Sequence, residues 1–462
     1  MTACPEVSKL LVYNLLRDEV VVVRPVPRHS TALVNMSVST PPPSRANPAA
    51  PGGGFGMPTL YRKIAWRLVP FLMLLYLVAF LDRVNISFAA LTMNRDLGIS
   101  ETLYGFAAGV FFLSYCLFQV PANMVLTRMG ARRWLAILMV AWGIVSMGTA
   151  FVAGGPSYIG ARFLLGITES GFYPGVIYYF TFWLPRSMRT RILATFLFSV
   201  PLCNFVGSPI SAHLLLMDKV AGLKGWQWLF LIEGVPALLL GAVTWLVLAD
   251  NPWSATWLSP AEKDQVKHDI RSDEQAQRKA AGRSWLLVLR DSAAYFLWST
   301  GMYGLSFFLP KVLVFAGAST VATGWWSALT FGAGALALFW ASRQRGHRAL
   351  PLLFLAAGAG FTCVGIAHSV PLAVAGFCLA AMGQLSSLPI FWSMSTGRLS
   401  GKAAGTAIAI VNSSGAVGAF AGPYAMGWLR DATHNYSAGL WAIAGCLALG
   451  SVLVVNRDRP TA

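Results

Sequence analysis

What this chain has least of is charge. Of its 462 residues, 11% are Asp, Glu, Lys or Arg, against about 25% in a soluble domain. Acids are the scarcer kind, with 18 Asp and Glu against 35 Lys and Arg. So little charge excludes an ordinary water-soluble fold. Cysteine is sparse as well, and five of the six (Cys116, Cys203, Cys363, Cys378 and Cys446) fall within long apolar runs. They have neither metal-ligand nor disulfide spacing and read as small apolar side chains. The six histidines include no H-x-x-x-H pair, and the acids no paired spacing. An enzyme embedded in a membrane needs a nucleophile–base pair or a metal cluster, and the chain offers neither. His213 and His368 sit at or near the ends of apolar runs, as interfacial packing residues do.

What fills the chain instead is hydrophobic, 56% of it. Charge-free runs cover 102–127, 134–161, 192–217, 292–310, 312–342, 349–397, 403–429 and 432–456. A bilayer-spanning helix needs about 20 apolar residues. Lipid offers backbone groups no partner, so such segments are helices. The pattern predicts an all-α membrane protein with spans at 66–88, 104–126, 134–153, 157–180, 191–216, 229–249, 293–315, 322–341, 350–367, 371–392, 403–428 and 437–455.

The net charge of +17 invites a nucleic-acid reading, but the positions of the basic residues exclude it. With the N-terminus inside, one side of the membrane collects Arg62, Lys63, Arg67, Arg128, Arg132, Arg133, Arg186, Arg189 and Arg191. It also takes seven Lys or Arg within 263–290, then Arg343, Arg345, Arg348, Arg398, Lys402, Arg457 and Arg459. The other side holds Arg95, Lys219, Lys224, Lys311 and Arg430. The positive-inside rule puts both termini and the long central loop in the cytoplasm. Several tryptophans (Trp66, Trp134, Trp183, Trp226, Trp228) stand at span ends, where the membrane interface favours them.

Two stretches differ from the rest. Residues 1–56 contain "TPPPSRANPAAPGGGFG", whose proline and glycine build no core. Their apolar scraps are split by Arg17, Asp18 and Glu19, so they make neither a span nor a signal peptide. The expectation is a disordered or mis-called extension, with Met57 the effective start. Residues 250–291 carry Ser259, Pro260 and Glu262, a capping box with proline at the first helical position. That reads as a cytoplasmic linker helix between two halves, 57–249 and 292–456, with 457–462 a cytoplasmic tail. The halves look related. "ESGFYPGVIYY" in the fourth span and "GQLSSLPIFWS" in the tenth align through Pro174 and Pro389, which brings Glu169 opposite Gln384. "VGSPISAHLL" and "FAGPYAMGWL" align through Pro209 and Pro423 at nearly the same offset. Internal repeats of this kind mark transporters.

The few charges inside the spans are Asp82, Arg83, Arg162 and Glu169, with Glu233 near the start of the sixth. Each costs about 2.5–3.5 kcal/mol at membrane depth, so such groups face a cavity and do a job. Arg162, Glu169 and Tyr173 are spaced by seven and four and form one stripe, with Gly166 leaving room. About 10 Å separates Arg162 from Glu169 along that helix, so each needs a partner elsewhere. On the first span Arg83 is turned about 100° from Asp82, which shares a face with Asn85. Asp82–Arg83 is therefore not a self-contained ion pair. Two readings stand: fixed pairs, Arg162–Asp82 or Arg83–Glu169, that hold helices together, or acids that exchange protons as an anion approaches Arg83. Asp82, near the outer end of its span, suits gating and proton carriage equally. The second half offers neutral polar groups instead: Tyr303, Gln384, Ser386, Ser387, Ser393, Asn412, Ser413 and Ser414. Gly207, Gly415, Gly418 and Gly422 read as small-residue helix contacts.

"FLDRVNISFAALTMNRDLGIS", "RFLLGITESGFYPG", "GWQWLFLIEGVPALLLG" and "WLSPAEKDQ" together resemble the anion:cation symporter family of the major facilitator superfamily. In the second half "YGLSFFLP" and "IFWSMSTGRLSGKAAGTAIAIVNSSG…GPYAMGWLRDAT" carry the same likeness, which covers residues 57–456. The resemblance implies the major facilitator fold, twelve transmembrane helices in two pseudo-symmetric six-helix bundles. It implies a monomer in the bacterial inner membrane that takes up a small organic carboxylate with protons. The proton gradient is the energy source, and no cofactor is involved. Matched by motif, Asp82 and Glu169 are the proton-coupling acids and Arg83 the carboxylate ligand. Tyr115, Asn412, Trp392, Ser393 and Gln384 fall at substrate-site positions, and Arg162, Arg128, Arg132 and Arg133 are structural or gating charges. Thr127 departs from the superfamily's usual acid in the loop after the second span, and "WASRQRGHR" has no acid at all, which puts the usual gating charge pair in doubt. "SVPLCNF" places Pro201 and Leu202 where sugar-acid carriers have an amide, with Asn204 nearest, and points to a less hydroxylated substrate. The competing expectation is a proton-coupled antiporter that exports a drug or metabolite, which the fifth-span "GSP" faintly favours.

Overall fold

The computed structural model describes residues 58–276, 285–341, 349–397 and 402–455. The expected extension over 1–56 and the basic residues Arg343, Arg345, Arg348, Arg398, Arg457 and Arg459 lie outside them. The described residues form helices and no strand. The first span is Thr59–Asp96, interrupted at Asn85 between helices Thr59–Val84 and Ile86–Asp96. The second is Glu101–Met129 and the third Ala131–Phe151. The fourth is two helices, Gly155–Glu169 and Phe172–Trp183. The fifth is Thr195–Met217 and the sixth Gly225–Val247. After the linker helix Pro260–Ala276 come the seventh, Trp285–Phe315, and the eighth, Thr320–Ala341. Ala349–Gly365, Val370–Gly397, Lys402–Thr433 and Ser437–Val455 complete the twelve.

By length and hydropathy eight described helices can cross a bilayer, and Ala349–Gly365 is a shorter apolar helix. The fourth span is interrupted, and the seventh and eleventh carry polar groups at their ends, so those three depend on packing for their place in the membrane. The first span shows how packing overrides hydropathy. Hydropathy ends it at residue 88, with Asn85 and Ser87 just before that point and Asn94, Arg95 and Asp96 beyond it. Asn85, Ser87 and Asn94 are nevertheless buried, and the helix runs on to Asp96. Asp82 thus lies about 21 Å of helix before that end, at 1.5 Å per residue. It is therefore further from the end of its helix than the sequence indicates. Lys311 and Arg430, expected in loops, are likewise within helices.

Close backbone approach holds each bundle together. In the first, Gly166 of the fourth span lies against Ser114 and the Phe111 carbonyl of the second, and Gly234 of the sixth against Gly143 of the third. In the second, Gly418 and Gly422 of the eleventh span lie on the carbonyls of Phe296 and Thr300. Where the bundles meet, a methyl added at Gly105 would overlap the Pro423 carbonyl, and one at Gly427 the Glu101 carbonyl. The fifth and eighth spans meet in the same way at Gly324, against Ser208 and Pro209. Small residues let helices interlock where lipid supplies no hydrophobic drive.

All these inter-bundle approaches are on the face opposite the Arg-rich loops. There Lys311 pairs with Glu101 at 2.6 Å, and the Tyr104 hydroxyl donates to the Phe307 carbonyl at 2.9 Å. The Asp431 carboxylate accepts from the backbone N–H groups of Glu101 and Thr102 and from the Thr102 hydroxyl, an anionic cap on the second span's N-terminus. On the Arg-rich face the Ser259 N–H donates to Glu262 at 2.8 Å. Glu262 also pairs with Lys63 at 2.9 Å, and the Tyr61 hydroxyl donates to Asp269 at 2.7 Å, which moors the linker helix to the start of the first span.

Candidate functional site

Arg83 projects from the first span two residues before the Asn85 break, at a level where the fourth span presents Glu169. Its Nη2 donates to Glu169 Oε2 at 2.7 Å, with the side chains 10% and 1% exposed. The bridge uses one nitrogen and one oxygen: Arg83 Nε and Glu169 Oε1 have no hydrogen-bond partner. The guanidinium carbon lies 5.0 Å from the Phe111 ring centre, 5.3 Å from Tyr115 and 5.5 Å from Phe80. These are cation–π distances. Across the seam Tyr303 of the seventh span packs on Phe112 at 4.3 Å and faces Arg83. Tyr76, two turns before Arg83, stacks on Phe196 at 4.7 Å and lies 5.8 Å from Tyr173. The result is a guanidinium with unused donor capacity, ringed by aromatic faces and phenols from both bundles.

Of the two fixed pairs the sequence allows, the structure makes one. Arg83–Glu169 is formed and Arg162–Asp82 is not. Asp82 turns to the third span and accepts from the Ser146 hydroxyl at 2.8 Å, with Oδ2 unpartnered. Arg162 is buried with Nε, Nη1 and Nη2 unbonded among the described residues, and lies 4.9 Å from the same Phe111 ring. Phe111 is therefore a platform shared by two guanidiniums. The 100° between adjacent helical positions is the physical cause: Asp82 and Arg83 address different neighbouring helices.

In the second bundle Gln384 is fully buried, its side-chain amide without a partner and set against Gly301. The Gln384 backbone carbonyl accepts from Trp298 Nε1 at 3.1 Å, which also donates to the Ser387 hydroxyl at 2.9 Å. In the register that superposes Glu169 on Gln384, Arg83 falls on Trp298. The first–fourth pairing thus has a neutral counterpart between the seventh and tenth spans. Trp392 lies 5.1 Å edge-on from Tyr295, which packs on Gly415 of the eleventh span. Asn412, one turn before Gly415, is half-buried, and Ser393 is exposed. The structure therefore brings Arg83, Glu169, Tyr115 and Tyr303 together. It gathers Trp392 with Tyr295 in a second aromatic cluster and leaves Asp82 and Gln384 facing other neighbours.

The loop arginines act within their own bundle. Arg132 Nε donates to the Trp245 carbonyl at 2.6 Å, and its backbone N–H to Asp250 at 3.0 Å; Arg128 and Arg133 are exposed. Asp250, three residues past the sixth span, is the acid that this loop's backbone meets. Phe111 and Tyr76 escape a reading that follows charge alone. Their signal is spacing, since Tyr76 precedes Arg83 by seven residues and Phe111 precedes Tyr115 by four, each pair on one face.

Two helical bundles that meet around a buried, partly satisfied arginine define a membrane transporter rather than an enzyme. The chain belongs to the Major Facilitator Superfamily, whose family model matches residues 72–345. It is 43% identical to a putative tartrate transporter of Agrobacterium vitis over 86% of this chain and 95% of that one. It is 35% identical to a quinolone resistance transporter of Acinetobacter baumannii over 85% of this chain and 93% of the other. Among solved structures it is similar to the inward-open xylose transporter XylE of E. coli. The TM-score there is 0.69 at 16% identity, over 86% of this chain and 97% of that one. The last likeness bears on the fold alone.

Proposed function

We propose that this protein is a proton-coupled symporter that takes up a small organic carboxylate across the bacterial inner membrane, as a monomer with both termini cytoplasmic. The observation that carries it is the one-pronged Arg83–Glu169 bridge: Arg83 keeps a free Nε inside an aromatic ring of side chains. A planar carboxylate fits a guanidinium fork in bidentate fashion. An incoming anion competes with Glu169 for Arg83, and the displaced Glu169 carboxylate takes a proton in place of its lost counter-charge. Anion and proton then leave together as the halves, 57–249 and 292–456, rock about the site. Tyr115, Trp392, Ser393 and Asn412 contact the substrate body, Gln384 stands opposite Glu169, and Asp82 assists the proton step. Arg162 balances charge at the Phe111 platform. The relative named as a putative tartrate transporter supports a carboxylate substrate.

A second reading, proton-coupled export of a drug or metabolite, has one observation in its favour, the relative named as a quinolone resistance transporter. The arginine in the cavity weighs against cationic cargo. Uptake of labelled carboxylates into proteoliposomes under an imposed proton gradient separates the two. Accumulation that follows inward proton flow, abolished by protonophore and by Glu169→Gln, is the expected result. Efflux driven by inward protons, or uptake indifferent to Glu169→Gln, overturns the symport reading.

A further inference from the structure

Of the buried carboxyls in the first bundle, the proposed cycle leaves one unused. Glu233 of the sixth span is 2% exposed. Its Oε1 accepts from the Ser211 hydroxyl at 2.6 Å, and Oε2 has no partner. Asn85, where the first span breaks, is fully buried with both amide atoms unpartnered and is turned toward Glu233. Beside them lies a small cavity of about 10 Å³ lined by Asn85, Asn204, Ser208 and Ser211 from the first bundle and by Ser306 and Ser327 from the second. That is roughly the space of one water. Ser327 is a buried, unpartnered hydroxyl on its wall. Leu81, Val84, Phe88, Leu309, Pro310 and Phe331 complete a mixed wall, and its orphaned polar groups call for an occupant that hydrogen-bonds.

The buried charges of the first bundle balance only if one carboxyl carries a proton. The buried charged groups of residues 57–249 are the carboxyls Asp82, Glu169 and Glu233 and the guanidiniums Arg83 and Arg162. Arg83 is committed to Glu169. Of the charged groups on the elements packed around Glu233, Arg62, Lys63, Arg67, Arg83, Arg95 and Arg133 included, few come near it. Asp82 on the first span and Cys203 on the fifth are its near neighbours. His213 on the fifth is bound to the Pro209 carbonyl. At the two ends of the sixth span, Arg132 binds the Trp245 carbonyl and Asp96 accepts from Trp226. No cation among the described residues pairs with the Glu233 carboxylate.

We propose that Glu233, held by Ser211 and facing Asn85, is a second proton-binding site, reached through the polar cavity at the seam between the bundles. The proton enters from the aqueous phase and is relayed through cavity water as hydronium; it adds to Oε2 and leaves a neutral water behind. Asn85 offers its Oδ1 to the protonated acid and its Nδ2 to the ionised form, so either state is hydrogen-bonded. Because the cavity wall is shared by both bundles, their relative movement opens or closes this route. The inference rests on the proton-coupled reading, but its first test does not need transport.

Infrared difference spectroscopy of the purified protein in lipid nanodiscs, during a pH step, reads protonated buried carboxyls directly. The expected result is a carboxylic-acid carbonyl band that is lost in Glu233→Gln and retained in Glu169→Gln. The same band intact in Glu233→Gln overturns the proposal. Should Glu233→Gln fail to fold, Ser211→Ala removes only the donor to Oε1. A shifted band supports the site, and an unmoved one overturns it. Thermal stability in sodium chloride against choline chloride is the remaining arm: stabilisation specific to sodium and lost in Glu233→Gln assigns the cavity to a metal cation instead. A protonophore-insensitive uptake with the Glu233 band present would sink the symport reading while leaving this site standing.

Discussion

Glu169→Ala would leave the Arg83 guanidinium buried with no counter-ion. At 2.7 Å and an effective dielectric constant of about 20, the attraction between the two charges is about 6 kcal/mol. Desolvation removes several kcal/mol for each ion, so the intact pair contributes little net stability. Breaking it is another matter, since a stranded buried charge costs about 3–5 kcal/mol. Removing both charges, as in Arg83→Met with Glu169→Leu, is expected to be roughly neutral for the same reason. The assay is a four-member cycle of melting temperatures in nanodiscs, read by tryptophan fluorescence, with and without a carboxylate that stabilises the wild type. The single variants should melt well below the wild type and the double variant close to it. The double variant should also lose all carboxylate-induced stabilisation. A double variant as unstable as Glu169→Ala would refute the energetic reasoning. A stable double variant that still responds to carboxylate would refute the assignment of Arg83 as ligand.

Three further outcomes follow from other parts of the molecule. Gly105→Val drives a side chain into the Pro423 carbonyl and Tyr424. Overpacking of about 1–3 kcal/mol should shift the equilibrium between closed and open states at that face about 5–150-fold. The readout is faster thiol labelling of a cysteine placed at Ser306, and unchanged labelling would count against a bistable seam. The Lys63 ammonium and the Ser259 N–H hold the Glu262 carboxyl below its usual range. A depressed carboxyl stabilises above its unfolded pKa, and that contribution is lost as pH falls through the lower folded value. Amide exchange in Pro260–Ala276 should therefore accelerate only below about pH 4.5, and in Glu262→Gln at every pH. Asp250→Ala removes the acceptor for the Arg132 N–H and should loosen the start of the third span by about 1 kcal/mol, visible as faster exchange at residues 131–134.

The twelve spans are legible as long charge-poor runs, although only eight described helices are long and apolar enough by themselves to cross a bilayer. Their ends are less so. Asn85 to Asp96 carries enough polar groups to end a hydropathy window, yet Asn85, Ser87 and Asn94 find burial against other helices. In the site, the buried charges stood out against an apolar background, and the 100° between Asp82 and Arg83 required different partners for them. Which partners could not be read, because two pairings satisfied the same helical geometry. The structure chose Glu169 for Arg83 and Ser146 for Asp82, and left Arg162 on an aromatic ring.

The amino-acid sequence alone determined that the chain is a polytopic helical protein, where its basic face lies, and which few residues carry charge into lipid. Those are properties of local composition and period, set by what a bilayer allows a backbone to do. Only the tertiary structure decided that the first span runs on to Asp96, well past Asp82, that Phe111 serves two guanidiniums, and that Glu233, Asn85 and Ser211 meet beside a shared cavity. These depend on the rotation and depth of each helix against its neighbours. Close approach at residues such as Gly105, Gly166 and Gly324 sets them, and no single segment encodes them by itself.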